Sequence, residues 1–149
     1  MKEGYTLGEL QKRLRYEFHN EELLRQALTH SSYANERVIH MTGDYERLEF
    51  LGDAVLEMVS SEFLYAQYPD EPEGALTKKR AALVCEPALA YCARKLELEE
   101  FIYFSKGEER DGGRKRDSIV SDVAEACIGA IYLDGGIEAA REFIRWVVL

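Results

Sequence analysis

Glu46, Glu49, Asp53 and Glu57 recur at intervals of three, four and four within "ERLEFLGDAVLEMVSSEFLYAQYP". In a helix these carboxylates stack along one stripe, where like charges repel. A second pair, Asp122 and Glu125, stands three apart in "SIVSDVAEACIGAIYL", a stretch otherwise free of charge. Two carboxylates about 5 Å apart repel by roughly 3 kcal/mol at an effective dielectric of about 20, and burying an unpaired charge costs several kcal/mol more. Against a domain stability of about 5–15 kcal/mol, such contacts demand neutralisation. Three agents can supply it: basic side chains, of which Arg47, Lys78, Lys79 and Arg80 are at hand; protons shared between the acids; or divalent cations. A cluster of carboxylates with no His or Cys at ligand spacing suits a hard cation such as Mg²⁺, with Mn²⁺ as a substitute, better than Zn²⁺.

An acid row on a helix is ordinarily a solvated face, and Glu57 fits that description. Glu49 and Asp53 fit it less well, because they are embedded in "LEFLGDAVL". Asp122 and Glu125 fit it least, on a helix too apolar to lie on a surface. Two acid pairs on two helices of buried character point to one shared metal site.

The elements that must position these groups are helices. "LGELQKRLRYEF" spaces Leu7, Leu10 and Leu14 at three and four, and "NEELLRQALTHSSYA" opens on Asn20 as a cap with Leu23, Leu24, Ala27 and Leu28 turned inward. A polar connection around "NERVIHMTGD" leads to the long acid-bearing helix, capped by Asp44 and stopped by Pro69. "EPEGALTKKRAALVC" gives a further helix, and "EPALAYCARKLEL" another with Pro87 in its first turn. "SKGEERDGGRKRD" reads as a charged glycine-containing loop before the apolar helix of Asp122 and Glu125, and "GGIEAAREFIRWVVL" adds a last helix. No alternating strand pattern competes, so the fold class expected is all-α.

The 149 residues fit one domain, and 46% hydrophobic content is enough for a core. No apolar run reaches membrane-spanning length and the first residues carry no signal-peptide block, so a cytoplasmic protein without membrane contact is expected. Cys85, Cys92 and Cys127 form no C-x-x-C pair and sit in apolar stretches, as buried cysteines of a reducing compartment do. A net charge of −9 argues against holding nucleic acid by bulk attraction. Any polyanion needs bound cations, local basic loops or a second domain.

"ERLEFLGDAVL" resembles the signature segment of the ribonuclease III family, and the resemblance continues through "LTHSSYANE", "PEGALTKKRAALV" and "SDVAEACIGAIYLDGG", from about Leu10 to Gly136 in family order. It implies the endonuclease domain alone, spanning residues 1–149, with the family's double-stranded-RNA-binding domain beyond it. It also implies an all-α homodimer that cuts double-stranded RNA with divalent metal and no small-molecule cofactor, leaving 5′-phosphate and 3′-hydroxyl ends, as in rRNA maturation. Residue by residue, Glu49 and Asp53 match the acids of the signature helix and Asp122 and Glu125 the later pair, all four as metal ligands, with Asp53 and Glu125 catalytic. Glu46 and Glu73 match supporting acids, Phe50 a dimer-interface position and Gly52 one of close helix packing. Ala54 stands where many members have Ser, and Tyr45 where an Asn often precedes the acid.

The chemistry so implied is attack of metal-activated water on a phosphodiester, with no nucleophilic side chain. His30, beside Thr29 and Ser31, is read as a hydrogen-bonded structural residue rather than a base. In "RDGGRKRD", Arg110, Arg114, Lys115 and Arg116 are candidate contacts to the RNA backbone. Two rivals remain: a nucleoside triphosphate pyrophosphohydrolase, which also gathers acid pairs around Mg²⁺, and a module that dimerises and binds RNA without cutting it.

Overall fold

A computed structural model of the chain describes residues 3–36 and 43–149. Part of the polar connection expected around "NERVIHMTGD" falls outside the described residues. Helix α1 (Leu7–Leu14) starts where the Thr6 hydroxyl accepts the Glu9 N–H, and α2 (Glu21–Ala27) where the Asn20 side chain accepts that of Glu22. Leu10, Leu14, Leu24, Ala27 and Leu28 are all buried, as their spacing predicts. A short α3 (Ser31–Glu36) follows. Among the described residues the only strand-like pairing is one isolated parallel bridge, Thr29 to Tyr103.

The long helix α4 (Glu46–Gln67) ends just before Pro69. Asp44 does accept the Glu46 N–H at 2.9 Å, although the helix proper begins after Tyr45. Helix α5 (Glu73–Val84) buries none of its residues, and α6 (Glu86–Lys95) carries Pro87 in its first turn. Between them Cys85 is exposed, which corrects its expected burial. It lies in the extended link between two helices, outside the reach of either apolar face. The charged loop is also more ordered than expected. It contains α7 (Lys106–Arg110), capped by the Ser105 hydroxyl, and a 3₁₀ turn at Gly113–Lys115.

Helix α8 (Asp117–Val147) is broken at Gly136, whose φ of 84° only glycine adopts without strain. The two helices read from the sequence are its two legs. The first leg lies against α4 along the widest helix–helix contact of the fold. Two glycines permit this. A Cβ on Gly52 would sit 1.7 Å from the Glu125 carbonyl oxygen, and one on Gly129 would sit 2.4 Å from that of Leu48. The backbones therefore touch, and Leu48, Val55, Leu56 and Val59 of α4 interleave with Val120, Val123, Ala126, Cys127 and Ala130 of α8. Among the described residues no helix is long and apolar enough to cross a membrane.

Candidate metal centre

The glycine contact fixes where the acids go. Glu49 is one turn before Asp53 on α4, and Gly52 abuts the backbone of Glu125 itself. As a result Glu49, Asp122 and Glu125 each bring a carboxylate oxygen within 4.8 Å of the others. Asp53 lines the same recess with Glu46, Glu49, Phe50 and Glu125, from an exposed position. All four acids matched to metal binding are thus brought together.

Of the three neutralising agents, basic side chains are absent here. Among the described residues no Lys or Arg pairs with any of the four acids: Lys79 pairs with Glu71, Arg80 donates to the Ser61 hydroxyl, and Arg47 and Lys78 are exposed. Protons take up the charge instead. Burial first, then a hydrogen bond and the charge from Asp53, push Glu125 up to about 9. Burial, then the charge of Asp122 and a hydrogen bond with it, push Glu49 up to about 7. Burial raises Asp122 too, although its bond with Glu49 works the other way. An all-carboxylate set at this spacing has the donor chemistry for a hard divalent cation, which would replace those protons.

Other predicted residues fall elsewhere. Glu46 stands exposed at the rim of the recess, and Glu57 is exposed outside it. Glu73 lines a separate recess with Ser61, Tyr65 and Arg80 and accepts the Thr77 hydroxyl at 3.0 Å, so this chain does not bring it to the four acids. Phe50 is 81% exposed and shares an apolar groove with Leu23, Leu51 and the exposed Leu133. His30 is structural, as read: its Nδ1 meets the Ser32 hydroxyl at 2.8 Å, and burial lowers its pKa.

The expectation for Arg114 needs correction. Its guanidinium donates to the carbonyls of Glu99 and Ile102 at 2.6 and 2.9 Å, pairs with Glu109 and lies 5.0 Å over the Phe104 ring. It staples the loop to the core rather than facing a ligand. Arg116 pairs with Glu108, and Lys115 remains exposed.

One site residue escaped sequence reasoning, and another was noted there without a role. Gly129, in "CIGAIY", was legible as a lone glycine one turn after Glu125 in an apolar helix. Tyr45, buried beside the acids, was legible only as an aromatic one turn before Glu49.

Comparison with known proteins gives the family of the chain. A family model described as ribonuclease-III-like matches residues 20–149. The chain is 53% identical over 144 residues to "Ribonuclease 3" of Bacillus licheniformis, covering 97% of this chain and 58% of that protein. It is 54% identical over 135 residues to "Ribonuclease 3" of Caldanaerobacter subterraneus, covering 91% and 59%. The chain thus spans somewhat under two thirds of the length of these relatives. Among solved structures, the nuclease domain of ribonuclease III from Campylobacter jejuni, described for flexibility in a region involved in dimer formation, superposes with a TM-score of 0.89 at 43% identity, covering 96% of each chain.

Proposed function

Because the chain belongs to the ribonuclease III family, we propose that it is the nuclease part of an enzyme hydrolysing phosphodiester bonds of double-stranded RNA, leaving 5′-phosphate and 3′-hydroxyl ends at staggered cuts. One observation carries this reading: three carboxylates from two helices converge within 4.8 Å with no basic partner. The set fits Mg²⁺, with Mn²⁺ as a substitute. When bound, such an ion lowers the pKa of water and offsets the charge that builds on the phosphodiester.

The chain's own part is to hold and to place. Glu49, Asp122 and Glu125 each offer an oxygen from rigid helices, and Asp53 stands beside Glu125 on the open side of the recess. Burial favours the protonated form of Glu125, and holding an ion would require it to give up that proton. Glu46, at the rim, acts as a supporting acid. The exposed Phe50 and its groove suit a homodimer that sets two acid centres against the two strands of one duplex, read by shape and 2′-hydroxyls. Glu73 then acts from the valley between the copies, and Lys115 serves as a phosphate contact. Processing of structured RNA such as rRNA precursors in the cytoplasm is the setting we assign. With a net charge of −9, this chain alone holds duplex RNA weakly.

The test is Glu125→Gln, which keeps the shape of the side chain and removes its charge. The variant should fold and dimerise as the parent does, yet cleave duplex RNA with Mg²⁺ at least about a hundredfold more slowly. Parental cleavage under limiting Mg²⁺ would remove Glu125 from its role. Parallel assays of the parent on nucleotides and on duplex RNA separate the rivals: nucleotide hydrolysis alone favours a pyrophosphohydrolase, and binding without cutting favours a silent module.

A further inference from the structure

The 3₁₀ turn Gly113–Lys115 leads into α8 through Arg116, and two guanidinium groups fix it in place. The Arg114 side chain folds back onto the core and is only 20% exposed. It donates to the carbonyls of Glu99, in the 3₁₀ turn Leu98–Phe101, and of Ile102, just after that turn. Its Nε donates to Glu109 of α7 at 2.8 Å, and its guanidinium lies over the Phe104 ring. A Cβ on Gly113 would stand 2.9 Å from the same ring, so the turn is packed as closely as glycine allows. Arg94 of α6 completes the clasp. Its Nη1 donates to the Arg114 carbonyl at 3.2 Å, while its Nε and Nη2 donate to Asp117 at 3.1 and 2.9 Å.

Each guanidinium is neutralised inside the clasp, Arg114 by Glu109 and Arg94 by Asp117, and neither is left for a ligand. Arg116 takes Glu108. Lys115, between Arg114 and Arg116, is exposed and pairs with no carboxylate among the described residues. Asp117 opens α8, and Asp122 and Glu125 follow on the same helix. The clasp therefore ties the turn of Lys115 to the helix that carries two acids of the centre.

We infer that Arg114, with Arg94, is a positioning residue for RNA: the clasp fixes Lys115 relative to Asp122 and Glu125, so that its ammonium group takes a backbone phosphate of the duplex being cut. The inference rests on the reading of the chain as a nuclease of double-stranded RNA and of Lys115 as its phosphate contact. Arginine suits the task where lysine does not, because its planar fork makes several bonds in one geometry and stacks on an aromatic face.

Steady-state cleavage of one duplex RNA at saturating Mg²⁺, repeated over a range of KCl concentrations, provides the test on the parent, Arg114→Lys, Lys115→Ala and the double variant. Arg114→Lys keeps the charge and loses the fork. It should raise KM about tenfold, the usual worth of one hydrogen bond to a charged group, with kcat unchanged. The slope of log KM against log salt should fall by about one, as for the loss of a single phosphate contact. Lys115→Ala should do the same, and the double variant should be no worse than either, since both changes remove one contact. A parental KM for Arg114→Lys overturns the inference, and so do effects of the two changes that multiply, because Arg114 then acts independently of Lys115. Lys115→Ala with parental KM and salt dependence overturns the phosphate contact and the inference with it, while the cleavage reading stands. A parent that cuts no duplex RNA overturns the proposed function itself, a distinct result that also removes the inference. Should Arg114→Lys fail to fold, Arg94→Lys releases the turn from the other side and carries the same expectations.

Discussion

Two covered carboxylates in the first leg of α8 behave in opposite ways. Asp134 has a side chain only 3% exposed, and burial works to raise its pKa, yet it ends near 2. The Tyr16 hydroxyl donates at 2.6 Å, and the backbone N–H groups of His19 and Asn20 each donate at 2.9 Å, which outweighs the loss of water. Glu125 is also raised by burial, but its neighbours are Asp53, Glu49 and Asp122, and it rises to about 9. On the metal reading proposed above, the difference separates a structural acid from a ligand-binding one. A carboxylate that serves the fold is supplied with donors by the fold, whereas one that serves a ligand is left wanting them until the ligand comes. Asp134 clasps the α1–α2 turn to the end of its leg; the acids of the centre clasp nothing within the chain.

The largest effect expected on this contrast comes from the contact that assembles the centre. Gly52→Ala puts a methyl 1.7 Å from the Glu125 carbonyl, so α4 and α8 must part. Overpacking of this kind costs about 1–3 kcal/mol and more against backbone, and urea melts should show a loss at or above the top of that range. An unchanged midpoint would mean that the helices do not touch there.

Next comes Asp134→Asn, which keeps the size of the clasp and removes the charge its donors address. About 2 kcal/mol should be lost at neutral pH, within the usual worth of hydrogen bonds to an ionised group. The sign with pH is fixed by the depressed pKa. The parent's advantage is fully present above the ordinary carboxylate range and fades as pH falls toward about 2, so parent and variant should converge in acid. Curves that stay parallel would show that the charge is not what the donors hold.

Opposite in sign is the pH dependence of the metal-free centre. The pKa of Glu125 is raised in the fold, so its contribution is fully present below the unfolded value of 4.5 and is lost as pH climbs through about 9. In EDTA the melting temperature should therefore fall across that window, and Glu125→Gln should flatten the fall. Added Mg²⁺ should reverse it, by about 2.7 kcal/mol at a hundred times its Kd. A melting temperature indifferent to both pH and Mg²⁺ would place the acids in ordinary solvent.

Much of this molecule was legible in its sequence, and the rest was hidden for a physical reason. The caps at Thr6 and Asn20, the stop at Pro69 and the break at Gly136 are local features, written in residues next to the backbone they shape. Periodicity also gave each helix its face, and so placed Glu49 on one stripe and Asp122 with Glu125 on another. The cost of burying both acid pairs pointed to one shared site, but not to the contact that builds it. That follows from two glycines far apart in the chain whose missing side chains coincide in space. Arg114 misleads for the same reason: in a glycine-containing charged loop it reads as a contact to the RNA backbone, but the carbonyls of Glu99 and Ile102 that hold it come from a different segment. Cys85 reads as buried among apolar neighbours, while the helix it follows turns out to bury nothing of its own.

The central claim we propose is that Glu49, Asp122 and Glu125 lack basic partners among the described residues because a hard cation is their partner. Crystals of the chain soaked in millimolar Mn²⁺ near neutral pH, measured at a wavelength where manganese scatters anomalously, examine it most directly. The account predicts an anomalous peak among the three carboxylates, about 2.0–2.3 Å from an oxygen of each, as hard divalent ions require. Continuous density without a peak there, the acids still sharing protons or turned apart, would contradict it.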